Sequence, residues 1–241
     1  MTTYKLIFVD VDGVLNSTFS HHGLCPRLVA RLREIIEKTG SSIVLSSAWR
    51  LSKESREHVK KAFLEEGVPM PISCTPLLKG LSYKYTRLEE ITGWLKYNTN
   101  NVYQQQNNGI PQEDEFLSIK GEFGHRDFTL PTKITVTHFV SLDDIDMRLE
   151  KYGGKYHSIL TEKHFVKTLA RTGLSENNVQ EAIVLLGGGG GRVRGLIKMD
   201  CDYCQKSNAL IYDTGKNKYY CQEECQQLFN HIEIPHLFVE Q

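Results

Sequence analysis

Short apolar runs rich in strand formers alternate with segments of helical period, and three of the runs end on aspartate or serine. That alternation constrains the chain more than any other feature, because consecutive strands joined through helices build a parallel sheet with helices on its faces. The first run, Lys5 to Val9 in "KLIFVDVDGVLN", is apolar after its lysine, as a strand buried on both faces must be. Asp10 and Asp12 stand where it leaves the sheet. In open α/β sheets ligands bind beyond the carboxyl ends of the strands, so these two carboxylates are placed for chemistry. Gly13 gives the exit turn its backbone freedom.

The same rhythm continues to about residue 186. In "PRLVARLREIIEKTG" Leu28, Val29, Leu32, Ile35 and Ile36 share one helical face between Pro26 and Gly40. "SSIVLSSAWR" holds a second strand through Ile43, Val44 and Leu45, and a helix capped by Ser52 runs on to Gly67. "VPMPISC" is a short third strand, placed near a sheet edge by Pro69 and Pro71. "TRLEEITGWLKY" opens on a capping box, Thr86 with Glu89, and is apolar at Leu88, Ile91 and Leu95. "ITVTHFVSL" is a long β-branched strand ending at Asp143 and Asp144. "HSILT" or "HFVKT" offers one more strand, and "LSENNVQEAIVLL" a helix with Val179, Ala182, Ile183 and Leu186 together. The expected fold is α/β, a doubly wound parallel sheet. Two stretches break the pattern: residues 98–131, rich in Asn, Gln and Gly, read as an insertion, and "GGGGG" from Gly187 reads as a linker over residues 187–196.

Composition narrows the class of function. With 40% hydrophobic and 24% charged residues the chain suits a water-soluble domain plus a small appendage. Lys+Arg 29 against Asp+Glu 29 gives no global charge that would select nucleic acid or an acidic membrane. No apolar run approaches the ~20 residues of a membrane span, and no signal-peptide layout is present, so an intracellular, cytoplasmic or nuclear, setting is expected, with no membrane partner.

Asp10, Asp12, Ser47 and the pair Asp143 and Asp144 each lie just past a predicted strand, where parallel neighbours converge on one crevice. Several carboxylates cannot crowd together fully ionised without a cation. An all-oxygen site of this kind suits Mg²⁺. A hydroxyl and a protein cation beside it suit a phosphate. Arg87 is placed by the reading above in the first turn of a helix, where the dipole disfavours positive charge by about 0.3–1 kcal/mol, so an anion beside it gives the residue a reason. Lys84 is its competitor, as Ser46 is that of Ser47.

In order, "DVDGVLN", "IVLSSAWR", Thr75-Pro76 followed by "RLEEITGWL", and "FVSLDD" resemble the four motifs of the haloacid dehalogenase (HAD) superfamily, most of all the HAD domain of Swiss Army Knife RNA-repair proteins. "HFVKTLARTGLSENNVQEAI" resembles the segment that follows the fourth motif there. The resemblance covers residues 4 to 186 and implies a HAD-like Rossmannoid phosphatase domain at 1–186, interrupted by the insertion. It implies that Asp10 is the nucleophile, forming an aspartyl-phosphate, and that Asp12 is the general acid and base. Ser47, followed by the small Ala48, and Arg87 would hold the phosphoryl oxygens. Asp143 and Asp144 would complete a Mg²⁺ site with Asp10 and the carbonyl of Asp12. The short gaps between the first three motifs leave no room for a cap domain, which predicts an open site suited to a bulky phosphoester such as an RNA or DNA end or a phosphoprotein.

Cys201, Cys204, Cys221 and Cys225 form a C-x2-C-x16-C-x3-C array, two close pairs separated by a hairpin-length segment. Four thiolates so spaced can enclose a structural Zn²⁺, and a module of residues 197–241 with so few apolar residues would be marginal without it. The array resembles treble-clef fingers of the MYM/TRASH type, which implies a protein or nucleic-acid partner for this small C-terminal zinc-binding module. Two rival functions stand beside the phosphatase: a non-catalytic binding protein using the zinc module on a HAD scaffold, and a phosphotransferase that passes the phosphoryl group to an alcohol.

Overall fold

The computed structural model describes residues 3–17, 23–78, 83–101, 116–117, 128–147, 163–188, 209–213 and 218–221. Five strands form one parallel sheet: β1 (Thr3–Val9), β2 (Ser42–Leu45), β3 (Ser73–Cys74), β6 (Thr135–Asp143) and β7 (Phe165–Lys167), in the order β3-β2-β1-β6-β7. Between them come the helices α1 (Pro26–Thr39), α2 (Lys53–Glu65) and α3 (Tyr83–Asn98), and α4 (Glu176–Leu185) follows β7.

Strand alternation divides the core into two layers. Ile7 and Val9 of β1, Ile43 and Leu45 of β2, Val140 and Leu142 of β6 and Val166 of β7 join the apolar faces of α1, α2 and α4. Leu6, Phe8, Val44, Phe139 and Phe165 turn to the other side and meet Leu88, Ile91, Trp94 and Leu95 of α3. Phe8 receives the Trp94 ring edge-on at 5.5 Å and the Phe139 ring at 6.2 Å. The sheet is therefore doubly wound. Its order reverses at β1: the chain steps outward through β2 and β3, then returns across the other face to place β6 beside β1, with Val9 opposite Leu142. The crevice at such a reversal is where open α/β sheets bind ligands.

The helical faces expected for α1 and α4 are the buried ones, α2 starts after the expected N-cap Ser52 and buries Arg56, Val59 and Phe63, and Ser175 caps α4. α3 differs. It starts at Tyr83, so Thr86 lies inside the helix rather than capping it, and Arg87 belongs to the second turn. The dipole argument for Arg87 accordingly gives way to a tertiary one. Of the two last-strand candidates "HFVKT" forms β7, and "HSILT" lies outside the described residues.

The ends of the segment read as an insertion belong to the core. Asn98 and Phe128 are buried, the Asn98 amide donates to the Phe128 carbonyl (3.2 Å), and Thr99 bridges Ile134. Within the segment β5 (Phe116–Leu117) pairs antiparallel with β4 (Leu77–Leu78), which follows β3 after only Thr75 and Pro76. Part of the insertion thus reaches the end of the sheet that carries the acidic residues. In the tail, β8 (Ala209–Asp213) and β9 (Lys218–Cys221) form an antiparallel hairpin that ends at Cys221. Cys201, Cys204 and Cys225, and most of the linker, lie outside the described residues. Among the described residues no helix is long and apolar enough to cross a membrane.

Candidate active site

Ladder hydrogen bonds continue past the strand ends and fix the acidic residues before any side-chain contact is made. Asp10 N donates to Leu142 O (3.1 Å), Ser46 N to Val9 O (2.9 Å) and Thr168 N to Asp143 O (2.9 Å). Asp10 follows Phe8 by two residues and Ser46 follows Val44 by two, so both face the α3 side of the sheet, as does Asp143 two residues after Ser141 and four after Phe139. Arg87 meets them from α3. Its Nη1 lies 3.0 Å from Asp10 Oδ2 and 2.8 Å from Asp143 Oδ2, with all three side chains nearly inaccessible. The remaining oxygens are tied to the backbone: Val11 N donates to Asp10 Oδ1 (2.8 Å), and Ile145 N to Asp143 Oδ1 (2.9 Å).

Asp144 completes the group, since carboxylate oxygens of Asp10, Asp143 and Asp144 all lie within 4.8 Å of one another. Burial pushes the Asp143 carboxyl up to about 8 although Arg87 pulls the other way, and Asp10 adds to the rise. Asp144 is raised as well, by burial first and then by Asp10. Burial works against the Arg87 charge, but Asp10 and Asp143 outweigh it and hold the guanidinium protonated. With all three carboxyls ionised, as a bound cation would require, three carboxylates against one guanidinium leave two negative charges, which one divalent cation matches. The donor set is all hard oxygen, so the residues fit Mg²⁺.

Gly13 is required here. Its φ is +70°, and a Cβ on it would stand 2.6 Å from Asp144 Cγ. Its N–H donates to Asn16 Oδ1 (2.9 Å) and its carbonyl accepts from Thr168 Oγ1 (2.7 Å), which leaves the turn no slack. Gly13→Ala is expected to lower stability by more than about 1 kcal/mol and to displace Asp144, because the left-handed conformation and the clash act together. Urea unfolding measures the first effect. A stability within error of wild type would show that the turn relaxes.

The two serines after β2 separate clearly. Ser47 caps a short 3-10 turn, Ala48–Arg50, by accepting from Trp49 N (3.3 Å). The Ser46 hydroxyl is wholly buried and has no hydrogen-bond partner among the described residues. Ala48 is half-buried beside them, and of Lys84 only the backbone is described.

Three residues of this region escaped the sequence reading. Trp49 donates its indole N–H to Asp12 Oδ2 (2.9 Å). Arg50 is buried and donates to the carbonyls of Ser47 (2.7 Å), Thr75 (2.8 Å) and Pro76 (2.9 Å) and to Glu90 Oε2 (2.7 Å). Glu90 in turn accepts from Leu78 N (3.2 Å), one turn of α3 beyond Arg87. The available signal was the helical spacing of Arg87, Glu90, Trp94 and Asn98, four residues on one stripe of α3 that are all buried. A polar stripe ordinarily reads as a solvated face.

Residues 6–106 match the family described as the HAD domain in Swiss Army Knife RNA repair proteins. The match supports the HAD superfamily. It spans Asp10, Asp12, Ser46, Ser47 and Arg87 and stops before β6, so Asp143 and Asp144 join the HAD-type segment through the sheet pairing alone. The parallel α/β sheet agrees with a HAD-like Rossmannoid fold. No curated protein and no solved structure matches the chain.

Proposed function

We propose that the protein is a Mg²⁺-dependent phosphomonoester hydrolase that works through an aspartyl-phosphate on Asp10. The observation that carries the reading is the convergence of Asp10, Arg87, Asp143 and Asp144 at the sheet reversal, with Asp12 two residues beyond Asp10. Asp10, Asp143 and Asp144, with the carbonyl of Asp12, would hold the metal, which when bound supplies charge neutralisation and orientation of the phosphoryl group. Asp10 attacks phosphorus and the ester oxygen departs with the P–O electron pair, taking a proton from Asp12. Water then attacks the acyl phosphate, gives its proton to Asp12 and frees Asp10 and inorganic phosphate. Arg87 holds phosphoryl oxygens together with a hydroxyl after β2. Ser47, followed by Ala48, is the residue read from sequence; Ser46, on Asp10's side of the sheet and without a hydrogen-bond partner among the described residues, is the alternative.

A nucleic-acid end is the substrate class favoured, on the strength of the matched family's link to RNA repair and of the absence of a cap-sized gap between the first three motifs. The tail is proposed to bind Zn²⁺ through Cys201, Cys204, Cys221 and Cys225. The support is the cysteine spacing and the hairpin between the two cysteine pairs.

The test is release of phosphate from an aryl phosphate with and without Mg²⁺. Metal-independent release, or none from a folded protein that binds Mg²⁺, counts against the proposal. The metal requirement should also depend on pH. Below about 8 the Asp143 carboxyl carries a proton that the metal must displace, and above it the proton is already gone. Mg²⁺ affinity should therefore climb with pH, approaching about tenfold per unit well below 8, and level off above. Calorimetry in buffers of different ionisation enthalpy reads both the affinity and the released proton; an affinity flat from pH 6 to 9 contradicts the assignment of Asp143.

A further inference from the structure

We infer that Trp49, together with Asn16, is the positioning residue pair for Asp12, holding the acid/base carboxylate in line with the departing oxygen; the inference rests on the phosphatase reading above. Asp12 is exposed, and an exposed carboxylate on a turn samples several rotamers unless it is tied. Both of its oxygens are tied. Trp49 Nε1 donates to Oδ2 (2.9 Å) and Asn16 Nδ2 to Oδ1 (2.8 Å).

Each donor is itself fixed. Asn16 accepts the Gly13 N–H (2.9 Å) on its other amide atom. The Trp49 ring packs against the α1/α2 side of the core, with the His58 ring 6.4 Å away at 54°. Its backbone belongs to the 3-10 turn that Arg50 clamps through Ser47 O, and Arg50 is anchored by Glu90. An indole N–H donates and cannot accept, so Trp49 takes no part in moving the proton. Its contribution is geometric: with an N–H donor on each oxygen the Asp12 carboxyl keeps one orientation, from which its proton meets the ester oxygen. Small misplacements of such a group cost rate steeply.

The prediction depends on the leaving group. An alkoxide must be protonated as the P–O bond breaks, whereas a nitrophenolate leaves without help. The full chain with Mg²⁺ is assayed on glycerol 2-phosphate and on 4-nitrophenyl phosphate. Trp49→Phe, which keeps an apolar ring, is expected to lower kcat on the alkyl ester by about tenfold or more and by several-fold less on the aryl ester. In an Asp12→Ala background the same substitution should add no further loss on either. Equal losses on both esters, or no loss on the alkyl ester, overturn the inference while leaving the phosphatase reading intact. A folded wild type inactive on both overturns the two together. Should Trp49→Phe fail to fold by circular dichroism, Asn16→Ala, which removes the half-buried amide donor to Asp12 Oδ1, is expected to give the same contrast and is judged by the same outcomes.

Discussion

Asp10→Asn should reduce phosphate release on the order of 10⁴-fold or more, the scale on which removing the nucleophile acts in covalent catalysts. The substitution is close in shape, and its amide oxygen can still accept the Val11 N–H that Asp10 Oδ1 accepts at 2.8 Å. What it loses is the anionic oxygen beside Arg87, 3.0 Å away, and the capacity to form an acyl phosphate. Rapid-quench measurement with labelled ester separates the two effects. Wild type should trap label on the protein under acid, and the variant should trap none. A variant that turns over at the wild-type rate would remove Asp10 from the chemistry, and with it the aspartyl-phosphate.

The largest effect on stability is expected from the Arg50–Glu90 pair, whose side chains are each 1% exposed. Arg50 joins the ends of two strands, through Ser47 on one side and Thr75 and Pro76 on the other, to the helix that carries Arg87. Glu90→Ala leaves a buried guanidinium facing only carbonyls, and breaking a buried pair in this way costs about 3–5 kcal/mol. Arg50→Met with Glu90→Leu, which removes both charges, should cost much less than the two single losses added together. Urea unfolding at unchanged slope measures each difference. A Glu90→Ala loss below about 1 kcal/mol would mean the pair behaves as a surface one.

How much could be read in advance varied by element. α1 and α4 were legible because their buried residues recur with helical period, α1 between Pro26 and Gly40, and α2 because the Ser52 cap and Gly67 mark its ends. The start of α3 was not, since Thr86 and Glu89 imitate a capping box inside a helix that begins at Tyr83. β3 was foreseen as short and peripheral from its prolines, and it is an edge strand of two residues. Among the candidate site residues, Asp10 and Asp144 were legible as acids just past strands, while Asp143, expected there too, is the last residue of β6 itself. Trp49 was not, because an indole's packing surface is visible in a sequence pattern while its single N–H is not.

The sequence by itself determined the alternation of the main strands and helices and where the acidic residues fall along them, and like-charge repulsion gave the reason to expect a cation there. Those features follow from local periodicity and from like-charge repulsion, both of which act between residues whose spacing can be read directly. Only the tertiary structure decided that β6 returns beside β1, that Arg87 answers to Asp10 and Asp143 rather than to a helix dipole, and that Arg50 and Glu90 lock the crest of the site. Parallel pairing joins strands more than a hundred residues apart through backbone groups that every residue carries. Burial of a charge is settled by the partners that surround it, and those partners come from other elements.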